Sequence, residues 1–373
     1  MVTDENAIPI RVLIVDDSAV ARWMIHSVLD AEPDIVVAGT ANNGIQALDR
    51  LTTIDPDLVI LDVEMPEMDG IEALKHIRRG RPDLPVLMFS TLTEKSAATT
   101  LEALALGATD YVTKPHKEGG REQAIEAVRS QLVPRIRALA RPSPNLGEYV
   151  HRIPHEAPSP GPAPARPPGW RAHRPSRIDA ILIGASTGGP NALAEVIPLL
   201  PASIPAPVFI VQHMPPVFTQ MLADRLNNQS ALRVLESSPS MRVATGNVYI
   251  AQGGVHMVVR RSGAGVLVDA DDGPPEHSVK PAVDVLFRSA VDVWGGNLLA
   301  VILTGMGEDG LQGCQAVVAA GGVVLAQDAS TSLVWGMPGA VTRAGLPAEI
   351  LPIGDIAGAI ARMCLTSAHR VTT

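Results

Sequence analysis

Two patterned regions flank a stretch with no period at all. In the first, short apolar runs rich in branched residues recur at regular intervals: RVLIVDD (11–17), IVVAGTA (35–41), DLVILDV (57–63), LPVLMFST (84–91) and ATDYVTKP (108–115). These runs are continuous rather than alternating, as expected of strands covered on both faces. Ser18 to Leu29 shows helical spacing, and a helix is predicted from about Arg121 to Ala140. Strands alternating with helices imply βαβ units and a parallel sheet. The second region repeats this grammar, with strands predicted at AILIG (180–184), VFIVQ (208–212), NVYIA (247–251), LLAVILTG (298–305) and GVVLAQD (322–328). Helices fit Asn191–Leu200 and Val283–Val293. The prediction is α/β, with two doubly wound domains. Between them, Arg141 to Ser176 is dense in proline, which fixes φ and lacks an amide donor. This stretch reads as an extended linker, the alternative being a long surface loop within one domain. No internal repeat is evident.

Composition narrows the partners. The chain has 373 residues, enough for two domains with separate cores, and 46% of them are hydrophobic. A net charge of −9 argues against nucleic acid as the main partner, since phosphate binding needs a basic face. Aromatics, at 3%, are too few for a platform that stacks bases. The two cysteines, Cys314 and Cys364, make no disulfide framework. The start MVTDENAIPI carries acids where a secretion signal is basic, and no apolar run is long enough to cross a bilayer. A cytoplasmic protein without direct membrane insertion is expected.

In doubly wound sheets the working residues sit just past the carboxyl ends of the strands. In the first region those ends carry Asp16 and Asp17, Asp62, Ser90 and Thr91, and Lys114 followed by Pro115. Three carboxylates brought together repel unless a cation joins them, and Mg²⁺ suits an oxygen-rich site. A carboxylate in such a site can attack a phosphoryl group, with the lysine and hydroxyl holding the new charge. Any one of these acids alone reads as a solvated loop charge; the set gathered at four strand ends does not.

In the second region AILIG runs into ASTGG. Gly184-Ala-Ser186-Thr-Gly188 fits the G-x-S-x-G turn that exposes a nucleophilic serine. The same glycines also fit a phosphate cradle at a helix start, or a βα turn without chemistry. A serine nucleophile needs a base and an orienting acid. VFIVQ ends at His213, and LLAVILTG is followed by MGEDG with Asp309; Asp328, at the end of another strand, is the best rival acid. His256, inside GVHMVV, reads as a structural histidine, and His277, in DDGPPEHSVKP, could line a site or be exposed. The order Ser…His…Asp differs from the Ser…Asp…His of α/β-hydrolases.

VDDS, LDVEMPEMDG, FST and DYVTKP, over about residues 10–130, resemble the receiver domains of two-component response regulators. IGASTGGP, QHMPPVFT, KPAVDVLF, ILTGMGEDG, AQD and GMPG, over about residues 178–345, resemble the catalytic domain of the chemotaxis protein-glutamate methylesterase family, CheB. The resemblance implies a flavodoxin-like five-stranded receiver over 1–130, a helix end and Pro-rich linker over 131–177, and a Rossmann-like methylesterase domain over 178–373. It implies that Asp62 is the phosphoacceptor, that Asp16, Asp17 and Asp62 hold Mg²⁺ with help from the Glu64 carbonyl, and that Ser90 and Lys114 contact the phosphoryl group. Tyr111 is then the ring that moves on activation. It places the triad on Ser186, His213 and Asp309 and the oxyanion donors on the backbone of Thr187 and Met306. Ester hydrolysis is expected to need no cofactor. The implied substrates are glutamyl methyl esters, and glutamines, of methyl-accepting chemotaxis receptors; the implied phosphodonor is a chemotaxis histidine kinase; the protein is expected to be a monomer. Glu308, Lys280 and Val217 stand where the family usually has Asn, Arg and Gly. Two other outputs would suit a receiver: a DNA-binding domain, disfavoured by the acidic balance and the absence of a basic recognition helix, and a nucleotide-binding domain using GASTGG.

Overall fold

The computed structural model describes residues 8–115, 120–140, 175 and 177–368. The chain divides into two compact units, residues 1–157 and 158–373. Most of the expected Pro-rich linker lies outside the described residues.

The first unit alternates β1 (Ile10–Val15), α1 (Ala19–Leu29), β2 (Ile35–Ala41), α2 (Gly44–Thr53), β3 (Leu58–Asp62), α3 (Gly70–Gly80), β4 (Val86–Ser90), α4 (Glu94–Ala105), β5 (Asp110–Thr113) and α5 (Arg121–Ala140). All strands are parallel, in the order β2-β1-β3-β4-β5. Every residue of β3, β4 and β5 is buried, and in β3 and β4 this gives apolar runs broken only at their carboxyl ends by Asp62 and Ser90. The first four helices begin at polar caps. The side chains of Ser18, Asn43, Asp69 and Thr93 accept from the amides of Ala21, Gln46, Glu72 and Ser96. Each cap satisfies an amide that the helix cannot, and is worth about 1 kcal/mol. The chain reverses winding direction between β1 and β3, so Asp16 and Asp62 flank the switch point, where such sheets bind their ligands.

The second unit has a seven-stranded parallel sheet in the order β15-β14-β13-β6-β7-β10-β8. Its strands are β6 (Ala180–Ala185), β7 (Val208–Gln212), β8 (Arg233–Glu236), β10 (Asn247–Ile250), β13 (Leu298–Ile302), β14 (Val323–Gln327) and β15 (Glu349–Leu351). A separate antiparallel sheet, β11-β12-β9, is formed by β9 (Met241–Arg242), β11 (His256–Ser262) and β12 (Gly265–Asp271). The helices are α6 (Gly189–Val196), α7 (Phe218–Gln229), α8 (Val283–Trp294), α9 (Leu311–Ala319), α10 (Met337–Arg343) and α11 (Ile353–Ala368). The stretch predicted as one helix over Asn191–Leu200 is α6 followed by a 3₁₀ turn at Ile197–Leu199. The core joins both sheets to α8 through Phe209, Tyr249, Met257, Val268, Leu286 and Phe287. Gly184 lets the first turn of α8 lie against β6, because a Cβ there would come within 2.7 Å of Val283. Winding reverses at β6, with β7 on one side and β13 on the other.

Candidate active site and phosphoacceptor site

In the second unit the switch point gathers the three residues singled out from strand ends. Ser186 follows β6, His213 follows β7, and Asp309 lies in the loop after β13. Backbone bonds tie these ends together. The Ser186 amide donates to the Thr304 carbonyl at 3.0 Å and the His213 amide to the Ala185 carbonyl at 3.2 Å. The Gln212 side-chain amide donates to the carbonyls of both Ser186, at 2.9 Å, and His213, at 3.4 Å. Thr304 donates through Oγ1 to the Thr187 carbonyl at 3.0 Å. Glycines make the close approach possible: a Cβ on Gly305 would meet the Ser186 Cβ at 2.9 Å, and one on Gly189 would meet Gln212 Oε1 at 1.9 Å.

The imidazole and carboxylate are bonded, with His213 Nε2 2.8 Å from Asp309 Oδ2. Asp309 also accepts the amides of Val283 at 2.7 Å and Asp284 at 3.0 Å. These are the first two amides of α8, whose preceding residue, Ala282, offers no side-chain cap. A carboxylate from another loop therefore caps the helix, and the positive end of the helix holds its charge. Burial pushes the Asp309 carboxyl up, but the His213 bond and charge and the two amides outweigh it, and the group titrates below its ordinary value. With Nε2 bonded to Asp309, Nδ1 is the ring nitrogen left to take a proton. Among the described residues Ser186 Oγ has no hydrogen-bond partner, and the amides of Thr187 and Met306 have no acceptor.

The rival residues go elsewhere. Asp328 folds onto its own turn, accepting from the Thr331 amide at 3.0 Å and from Ser330 Oγ at 2.7 Å. His256 is buried and structural: Nδ1 accepts the Ala282 amide at 3.1 Å and Nε2 donates to the Pro274 carbonyl at 3.0 Å. His277 bonds Asp284 at 2.9 Å. Neither Gln212 nor Asp284 was legible as a site residue. Their only signal is a polar side chain inside an otherwise apolar element, and that gains meaning once the burial is known.

In the first unit Lys114 Nζ lies 2.9 Å from Asp16 and 2.8 Å from Asp62. Oxygens of Asp16, Asp17 and Asp62 lie within 4.8 Å of one another. Burial, and then the Asp16 charge, raise the Asp62 carboxyl to about 6 against the pull of Lys114. One lysine thus leaves the carboxylates short of positive charge, and a hard divalent cation such as Mg²⁺ fits this oxygen set. A cavity of about 250 Å³ opens beside Asp62, lined by Asp17, Val63, Glu64, Thr91, Ser96 and Lys114. The Ser90 hydroxyl is turned inward, accepting from Thr100 at 2.7 Å, so Thr91 and Ser96 rather than Ser90 line the cavity here. Tyr111 is also buried.

A parallel sheet with a lysine-paired carboxylate at its switch point defines a switch domain of the response-regulator type, and the second unit gives it a serine–histidine–aspartate output. The family model of the response regulator receiver domain matches residues 12–126, and that of the CheB methylesterase matches residues 181–360. A protein-glutamate methylesterase/protein-glutamine glutaminase of Trichodesmium erythraeum is 44% identical over 356 residues, covering 94% of this chain and 98% of that protein. A relative of the same name from a Nocardioides species is 46% identical over 357 residues, covering 95% of each chain. The crystal structure of the Thermotoga maritima CheB methylesterase catalytic domain is 40% identical, covering 50% of this chain and 98% of that one, with a TM-score of 0.49. The chain belongs to the CheB family of protein-glutamate methylesterases/protein-glutamine glutaminases. Among the described residues, no helix is long and apolar enough to cross a membrane.

Proposed function

We propose that this response regulator hydrolyses glutamate γ-methyl esters, and deamidates glutamines, on methyl-accepting chemotaxis receptors, with Ser186 as nucleophile. The observation that carries the reading is the His213–Asp309 bond beside the Ser186 turn, which leaves Nδ1 as the base. Nδ1 takes the Ser186 proton while Oγ bonds to the ester carbonyl carbon. The tetrahedral oxyanion is held by the free amides of Thr187 and Met306, each worth on the order of 3 kcal/mol. As the intermediate collapses, His213 returns the proton to the leaving oxygen and methanol departs. A water, deprotonated by the same nitrogen, then cleaves the acyl-serine to free glutamate. On glutamine the same sequence releases ammonia. Asp309 keeps the ring in one tautomer and balances its transient charge.

Asp62 is proposed to accept the phosphoryl group from a chemotaxis histidine kinase, with Asp16, Asp17 and Asp62 holding Mg²⁺, which would neutralise charge as the group arrives. Lys114 would pair with the new phosphate, and Ser90 would reach it by rotating away from Thr100. Phosphorylation would raise the esterase rate. The setting is cytoplasmic adaptation in chemotaxis-type signalling, by a monomer.

The test is methanol release from methylated receptor, with and without a small phosphodonor. Ser186→Ala should release none, and a serine-reactive phosphonate should label the parent at Ser186 only. Turnover by Ser186→Ala would refute the nucleophile. If Asp62→Ala responded to the phosphodonor as the parent does, the phosphoacceptor assignment would fall; if deleting residues 1–140 left the rate unchanged, control by the receiver would fall.

A further inference from the structure

A second imidazole–carboxylate pair stands directly behind the catalytic one. His277 Nε2 lies 2.9 Å from Asp284 Oδ2, and the other Asp284 oxygen accepts the Gly313 amide at 2.6 Å. The Asp284 backbone amide is one of the two that hold Asp309. Ligand atoms of His277, Asp284 and Asp309 all fall within 4.8 Å of one another, so two carboxylates face each other across the start of α8. Asp284 is fully buried, whereas the His277 side chain is 26% exposed. Burial first, and then the charge of Asp309, push the Asp284 carboxyl up, against the Gly313 amide and His277, which pull it down. His277 and Ser278 both have positive φ, 51° and 63°, a region that non-glycine residues seldom adopt.

We propose that His277 and Asp284 form a second couple whose charges act on the first: the Asp284 carboxylate stabilises the positive charge that His213 takes on during turnover, and a proton on His277 offsets it. The inference rests on the triad reading above. Neither residue touches substrate, so both are positioning residues that act through Asp309. The motive is electrostatic. His213 must accept a positive charge during turnover, and two carboxylates stabilise that charge more than one does. A solvent-reachable histidine on the second carboxylate makes the effect depend on pH.

The other charged groups around this cluster do not duplicate the effect. Cys314 of α9 faces both carboxylates, but burial and their charges push its thiol well above its ordinary value, so it stays neutral. His256 is held by the Ala282 amide and the Pro274 carbonyl. In the same loop Lys280 pairs with Asp272 and Glu276 with Arg288, so each pair cancels. Glu308, next to Asp309, is exposed to solvent.

The test is the rate at which a serine-reactive phosphonate labels Ser186 in the full-length chain, followed against pH. The midpoint of its acid limb is the pH at which His213 loses its proton. Asp284→Asn keeps an acceptor for Gly313 but removes a negative charge, and should move the midpoint down by on the order of one pH unit. His277→Gln keeps a donor to Asp284 but removes a positive charge, and should move the midpoint up by a similar amount. A purely structural role would lower melting temperature and rate without opposite shifts. Midpoints that stay put, or that move in the same direction, would overturn the proposal. If Asp284→Asn fails to fold, His277→Gln decides alone, because its side chain reaches solvent: an upward shift supports the proposal and no shift overturns it. Ser186→Ala, run in parallel, keeps the two readings apart. If it is labelled or turns over, the triad itself is wrong; if it is inert while the midpoints stay fixed, only this inference fails.

Discussion

Replacing Asp309 by asparagine separates the charge of the proposed triad from its shape. The carboxylate accepts three donors on two oxygens: His213 and the Val283 amide on Oδ2, and the Asp284 amide on Oδ1. An amide has one oxygen. If that oxygen faces Asp284, the new NH₂ meets the Val283 amide and the His213 N–H; if it faces Val283 and His213, the Asp284 amide is orphaned. At least one buried donor loses its acceptor in either orientation, at about 1–3 kcal/mol for each group. For a unit of roughly this size each kcal/mol lowers the melting temperature by about 2–4 °C. The catalytic cost is larger, because the ring loses its orienting acceptor and the counter-charge of its cation; in well-characterised triads the same change costs roughly 10⁴-fold. The stability loss should depend on pH. The folded Asp309 carboxyl titrates below its unfolded value, so its contribution is present at neutral pH and is lost as pH falls through the folded value. Parent and Asp309→Asn should therefore differ most near neutrality and converge in strong acid. Urea melts across pH, with ester hydrolysis on the same samples, check both. A variant as stable as the parent at pH 7 that keeps more than a tenth of its activity would refute the reasoning.

Three further outcomes follow from particular positions. Val217, before α7, sits at φ 71°, where a branched side chain is strained by about 1–3 kcal/mol. Val217→Gly should raise the melting temperature by a few degrees after its own entropy cost of about 0.4–1 kcal/mol; an unchanged or lower melt would show that Val217 packing outweighs the strain. Gly305→Ala would put a Cβ 2.4 Å from Met337 Sδ and 2.9 Å from the Ser186 Cβ, so methanol release should fall at least tenfold, and a parent-like rate would mean the turn can shift. Because burial and Asp16 hold the Asp62 carboxyl at about 6, phosphoryl uptake from a small phosphodonor at limiting Mg²⁺ should drop as pH falls through that value and the carboxylate is lost. Saturating Mg²⁺ should move the drop to lower pH, and a limb insensitive to Mg²⁺ would place the cation elsewhere.

The apolar runs located all five strands of the first sheet and five of the seven in the second, because strands covered on two faces are mostly apolar. They missed β8 and β15, the two edge strands, which are short, only partly buried and carry charged residues. The same rule placed Asp16, Asp62, Lys114, Ser186 and His213 at strand ends before any contact was known. The small sheet of β9, β11 and β12 was less legible: its strands are short or half-exposed, and they pair antiparallel outside the βαβ rhythm. The strand-end rule alone did not exclude Asp328, although the family resemblance chose Asp309. Both follow strands, and only packing shows that one meets a histidine at the start of α8 while the other closes its own turn. Which nitrogen of His213 bonds Asp309, the inward turn of Ser90 and the facing of Asp284 on Asp309 are likewise tertiary facts. Sequence pattern reports which face of an element is buried; it does not report the distance between loops that approach from different strands, and both sites are made of such loops.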